Sequence, residues 1–139
     1  MKKLLTAILS LTLLSGCATS MVPREKAKAI PSDRLYQSEL IYQGEPENAE
    51  VVLIRDVGIV GSACLHRIWV DNVKVAALDV GEMISLGLKP GSHFIRLEMG
   101  VGMCADMQVS ESFNLQPGDK RQYRVMVDSN FKLSLVRMQ

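Results

Sequence analysis

Cys64, Cys104, His66, His93 and the series Met99, Met103, Met107 are the side chains in this sequence best suited to soft-metal chemistry. Thiolate, imidazole and thioether together suit Cu(I) or zinc. A plainer use of the same residues competes with that one. Two cysteines in an oxidising compartment pair with each other, a histidine at a strand end is held by hydrogen bonds, and methionine fills gaps in a core. Cys64 and Cys104 lie at loop–strand boundaries with no Cys-x-x-Cys spacing, so they predict a structural disulfide and not a redox pair. Closing a loop of about 40 residues contributes about 4 kcal/mol in the chain-entropy account. A metal-binding set of His66, His93, Met99, Met103 and Met107 stands as the alternative.

A second constellation has no metal chemistry. Arg67 and Trp69 alternate with Ile68 and Val70, and Phe94 and Arg96 alternate with Ile95 and Leu97. Side chains two apart on a strand share a face, so the aliphatic residues take the core and the aromatics and guanidiniums share the other side. Trp, Phe and Arg are enriched at binding hot spots, and aromatics make up only 5% of the chain. This set is the predicted partner-binding surface, unless the segment Leu35 to Tyr42 folds over it. Glu111 falls in the apolar phase between Val109 and Phe113 and needs a partner, for which an Arg is the natural choice. No nucleophile elbow, no paired catalytic carboxylates and no Gly-rich phosphate loop are present, so the chain reads as non-catalytic and implies no cofactor.

The elements that must position these residues are short and extended. Ala49 to Val57 is a near-continuous apolar run suited to a central strand. Leu65 to Asp71 and Val73 to Leu78 meet at Asp71-Asn72, residues that tolerate the positive φ of a tight hairpin. Glu82 to Leu88 and Ser92 to Met99 meet at Lys89-Pro90-Gly91, a Pro-Gly turn. Asp106 to Leu115, Lys120 to Asp128 and Phe131 to Arg137 follow, with a second Pro-Gly turn at Gln116 to Asp119. Strands at this spacing predict an antiparallel all-β sandwich or small barrel of about 7–8 strands over residues 46–139. No segment after Gln43 carries a helical period. Residues 17–45, with two prolines, alternating charges and no sustained apolar period, read as a tether with an ambiguous short segment from Ser32 to Gln43.

Residues 1–16 read as an address. Met1-Lys2-Lys3 is a charged start, and Leu4 to Leu14 is an apolar run too short to span a bilayer. Leu14-Ser15-Gly16-Cys17 then resembles the lipobox of bacterial lipoproteins. That resemblance implies diacylation of Cys17, cleavage before it and a lipid-held protein. Ala18 is not the Asp that retains such proteins on the inner membrane, which favours the outer membrane, facing the periplasm. The formal net charge is +1, with Lys2 and Lys3 in the segment expected to be removed, so nothing points to nucleic acid.

Val70-Asp71-Asn72, Leu86 to Gly91 and His93-Phe94-Ile95-Arg96 are similar to the PEGA-type domains of bacterial surface proteins and to domains of small lipoproteins. The resemblance covers about the last two thirds of the chain. It implies an Ig-like sandwich and a surface role, and brings no catalytic residue. The sequence therefore predicts a membrane-anchored binding or structural module for an envelope protein or wall polymer. A periplasmic copper-binding protein is the alternative.

Overall fold

The computed structural model describes residues 19–138. Cys17 and the address segment lie outside them. The described chain is all-β, with eleven strands and three single 3-10 turns. Eight strands are long: β3 (Ala49–Arg55), β5 (His66–Val70), β6 (Val73–Leu78), β7 (Glu82–Leu88), β8 (Gly91–Met99), β9 (Met107–Leu115), β10 (Lys120–Val127) and β11 (Leu133–Arg137). Three are two-residue pieces: β1 (Thr19–Ser20), β2 (Lys28–Ala29) and β4 (Val57–Gly58).

The long strands form two facing sheets, ordered β11-β10-β3-β7-β2 and β6-β5-β8-β9. One apolar core lies between them. Ala49, Val51 and Leu53 of β3 and Val125 of β10 enter it from the first sheet, and Ile68, Val70, Ile95 and Leu97 from the second. Their every-second-residue spacing is what turns them to one side.

The hairpin at Asp71-Asn72 is formed as the sequence predicts, both residues taking positive φ. At the second Pro-Gly turn, Gly118 also takes positive φ, and the Asp119 amide donates to the Gln116 carbonyl at 3.1 Å. The sandwich is antiparallel as expected in most of its strand pairings, with two exceptions. β10 runs parallel to β3, and β2 runs parallel to β7. The first case arises because β8 and β9 belong to the other sheet, so the chain re-enters the first sheet from the end where β3 also starts.

A larger departure concerns residues 19–45, expected as a tether. Their described part is built into the domain. β1 pairs with β4, and β2 extends the first sheet at its β7 edge. Ile30 is buried in the core, and Leu35 and Ile41 bridge to Ala76 and Leu86. The segment therefore steps from the β7 edge of one sheet to the β6 edge of the other and back. It closes the open side of the sandwich and covers edges that would otherwise template aggregation. The ambiguous stretch resolves into 3-10 turns at Ser32–Arg34 and Ser38–Leu40.

Ion pairs fix this clasp. Arg34 makes a bidentate pair with Glu82, one arm at 2.8 Å, and also donates to the Ala77 carbonyl at 3.1 Å. Arg24 pairs with the buried Glu50, which also accepts from Ser85 Oγ at 2.7 Å. Burial alone would raise the Glu50 carboxyl, but Arg24 and Ser85 outweigh it and hold it below the usual range. Thr19 Oγ1 lies 3.4 Å from Asp56, which Arg124 also binds. Anchored at Asp56 and Glu50, the chain from Thr19 to Arg24 lies along the outer face of β3, which explains why Val52 and Ile54 are buried on that side.

Candidate functional site

The outer face of the four-stranded sheet carries the predicted binding residues. Trp69 sits opposite Arg96 across β5–β8 and opposite Lys74 across β5–β6. The Arg96 guanidinium lies over the Trp69 ring, 4.9 Å from its centroid. Arg67 is opposite Glu98, with 3.7 Å between charged atoms. Arg96 Nε lies 2.9 Å from Glu98, close enough for an ion pair, although its N–H is not aligned as a hydrogen bond. Phe94 is on the same face, two residues before Arg96, and its amide donates to Asp71 Oδ1 at 2.9 Å. All four predicted residues are thus brought together, as their alternation requires. All are half-buried and none projects freely.

The segment Leu35 to Tyr42 does not fold over this face. Its bridges to Ala76 and Leu86 place it between the sheets, and only Tyr36 reaches the outer surface, with Lys74 Nζ 4.2 Å from its ring centroid. Tyr36, Lys74, Trp69 and Arg96 then form a row in which cations and aromatic rings alternate across the sheet. Such contacts contribute about 0.5–1 kcal/mol each at exposed sites. They also hold the guanidinium flat against the indole. The row was only partly legible, because Lys74 meets Trp69 through a register shift between Ile68 and Trp69 that alternation does not reveal.

The soft-metal candidates are not gathered. β5 and β8 are antiparallel, so His66 and His93, each near the start of its strand, lie at opposite ends of the sandwich. His93 presents Nδ1 to Asp71 at 2.6 Å and Nε2 to the Lys89 carbonyl at 2.8 Å, which leaves neither nitrogen free to ligate. Met99 and Met107 are cross-strand neighbours, whereas Met103 points outward from the loop tip. Cys64 and Cys104 are joined, with Cα atoms 5.9 Å apart, so neither offers a thiolate. Among the described residues no three His, Cys, Asp or Glu side chains form a cluster. Glu111 is partnered by the Tyr123 hydroxyl at 3.1 Å, and not by the expected Arg.

His66 departs from the hydrogen-bonded strand-end histidine that the sequence suggests. It is fully buried, and neither ring nitrogen meets a hydrogen-bond partner. Burial, with the nearby Arg55 charge, pushes its imidazole down to about 3. Arg55 is itself buried and donates to the carbonyls of Gly61, Cys64 and Leu78 at 2.7, 2.6 and 3.0 Å. Burial lowers the guanidinium to about 10, so it stays charged at neutral pH. No protein-family model matches this chain, and no curated protein does either.

Proposed function

We propose that this chain is an envelope lipoprotein of the PEGA-like kind, anchored to the outer membrane through Cys17. It serves as a non-catalytic binding or structural module for an envelope protein or a wall polymer. The observation that supports this reading best is the asymmetry between the two outer sheet faces. The chain covers its own β3 face with residues 19–24 but leaves the Trp69–Arg96 face to a half-buried row of aromatics and guanidiniums. A planar guanidinium already seated on an indole presents its remaining N–H groups without further ordering cost, which suits carboxylates and carbonyls on a partner.

Two experiments test the two halves of this reading. Cys17→Ala should release the protein from outer-membrane fractions after a high-salt wash, because no helix among the described residues is long and apolar enough to cross a membrane. Persistence in those fractions removes the basis for lipid anchoring. Arg96→Ala should weaken co-sedimentation with purified wall sacculi, or cross-linking to an envelope partner, by more than about 1 kcal/mol, roughly fivefold. Unchanged capture by a folded Arg96→Ala protein rules out this face.

A further inference from the structure

The two ends of the sandwich differ in what their loops expose. The end formed by the turns at 45–48, 71–72, 89–90 and 116–119 carries Glu47, Asn48, Asp71, Asn72, Lys89 and Gln116 among its turn prolines, and Val73 is the one large apolar side chain exposed beside them in the described structure. The other end collects the loops 56–65, 79–81, 100–106 and 128–132. Of the ten large apolar side chains exposed in the described structure, six are here: Val57, Ile59, Leu65, Val101, Met103 and Phe131. Ile59 is 90% exposed, and Met103 is fully exposed at 105%. Apolar exposure this concentrated marks a contact surface.

These tips are held outward by construction. The Cys64–Cys104 disulfide ties two of the loops together. Arg55 holds the carbonyls of Gly61 and Cys64 from beneath. Asp128 Oδ1 accepts from the amides of Asn130 and Lys132, both at 2.9 Å. Phe131 between them takes positive φ, unusual for a residue with a side chain. Around a shallow hollow the loops bring Ile59, Met99, Met103 and Phe131 together over the disulfide.

The N-terminal chain enters at this same end. Thr19 pairs with Gly58, the residue before Ile59, and Ser20 pairs with Val57. Two residues span at most about 7 Å of extended chain. The described chain thus begins at the apolar end, and a lipid attached two residues before Thr19 would be tethered to that end and not to the polar one. Polar side chains at this end, Asp79, Asp106, Asp128, Ser129, Asn130 and Lys132, lie among the apolar ones, a mixture suited to headgroup depth and not to a dry protein interface.

We propose that the disulfide end of the sandwich sits in the membrane surface, with Ile59, Val101, Met103 and Phe131 entering the headgroup–acyl boundary beside the lipid on Cys17. This rests on the anchoring reading above and adds an orientation to it. The strands stand away from the bilayer, the polar Asp71–His93 end points furthest out, and the Trp69–Arg96 face is presented sideways. Insertion of this kind reaches about 5–10 Å; four side chains orient the domain but do not hold it on the membrane without the acyl chains.

The test uses the full lipidated chain in phosphatidylcholine vesicles, with Met103→Trp and, separately, Ile59→Trp. Both positions are exposed, so neither change disturbs the core, and native Trp69 alone serves as the control. With lipid brominated high on the acyl chain, the added emission should be blue-shifted and largely lost, while the native protein's emission is unaffected. A protein that floats with the vesicles but whose added emission is quenched by aqueous acrylamide and not by bromine overturns the orientation and leaves the lipid anchor standing. Shielding from both quenchers shows the end packed on protein, such as a second copy, and also overturns it. Equal bromine quenching of native Trp69 shows the domain lying on its sheet face and does the same. A chain that does not float removes the anchor and the orientation together.

Discussion

His66 opens β5 with its imidazole enclosed and both nitrogens without partners, beside the Arg55 guanidinium. A histidine lowered from 6.5 to about 3 is neutral in the fold but takes up a proton when the chain unfolds. The unfolded state then binds more protons between those values, so stability is complete above pH 6.5 and declines as pH falls towards 3. Between pH 7 and 5 the loss should be about 2 kcal/mol, a window in which ordinary carboxylates barely titrate. His66→Met should flatten that slope, since it fills a similar volume with no titrating group, and should cost little, because it removes two unsatisfied polar atoms. Denaturant unfolding at pH 7 and 5 measures this, and an unaltered slope in the variant assigns the effect elsewhere. Trp69 is a second unsatisfied donor, its Nε1 buried without an acceptor. Trp69→Phe keeps the ring under Arg96 and should change stability by less than about 1 kcal/mol. Trp69→Ala loses the ring and its cation contact and should cost about 1–3 kcal/mol, short of the value for a core aromatic because the ring is only half-buried. A loss near ~5 kcal/mol in a thermal or urea melt shows the indole to be core and not surface.

The element that matters most for interpretation is the N-terminal clasp. Strands β5, β8, β9 and β10 were legible from alternation, and β3 from its unbroken apolar run, because a strand buried on one face or on both leaves a regular mark. The clasp leaves none. Ile30, Leu35, Leu40 and Ile41 fit neither a two-residue nor a helical period, since the segment crosses between sheet edges and packs on the one core from short turns, and the charges among them looked like solvated tether residues. Those charges are instead the fastening. Arg34→Ala would leave Glu82, only 8% exposed, with a single amide partner from Asp79. Removing one partner of a mostly buried pair costs about 3–5 kcal/mol; with Arg34 partly exposed, the low end is expected. Limited trypsin digestion reads the same point locally. A free tether is cut at Lys26 and Lys28 at the rate of an unfolded peptide, whereas the clasped native chain should resist and Arg34→Ala should become cleavable there. Rapid cleavage of the native chain at those lysines returns the segment to a tether.

At the scale of the whole molecule, the disulfide ties one end of the sandwich, and the Asp71-Asn72 hairpin lies at the other. The antiparallel course of β5 and β8 sends His66 and His93 to opposite ends, which alternation along each strand does not reveal and pairing direction does. The same topology brings the loop before β5 and the loop between β8 and β9 side by side, where Cys64 and Cys104 join across a sequence separation of 40. The first of these loops carries the chain from one sheet to the other, so the bridge restrains the crossing between the sheets. Cys64→Ser with Cys104→Ser should lower unfolding free energy by about 4 kcal/mol through the freed unfolded chain. It should also loosen one end selectively. Amide exchange should accelerate in residues 59–65 and 100–106, while β3, β7 and the Asp71-Asn72 hairpin exchange only through global unfolding. The Trp69–Arg96 row lies on the strands that leave this end and should keep its fluorescence in the double variant. Loss of that signal below the melting transition, or protected loops without the bridge, shows that the disulfide does not act locally at this end.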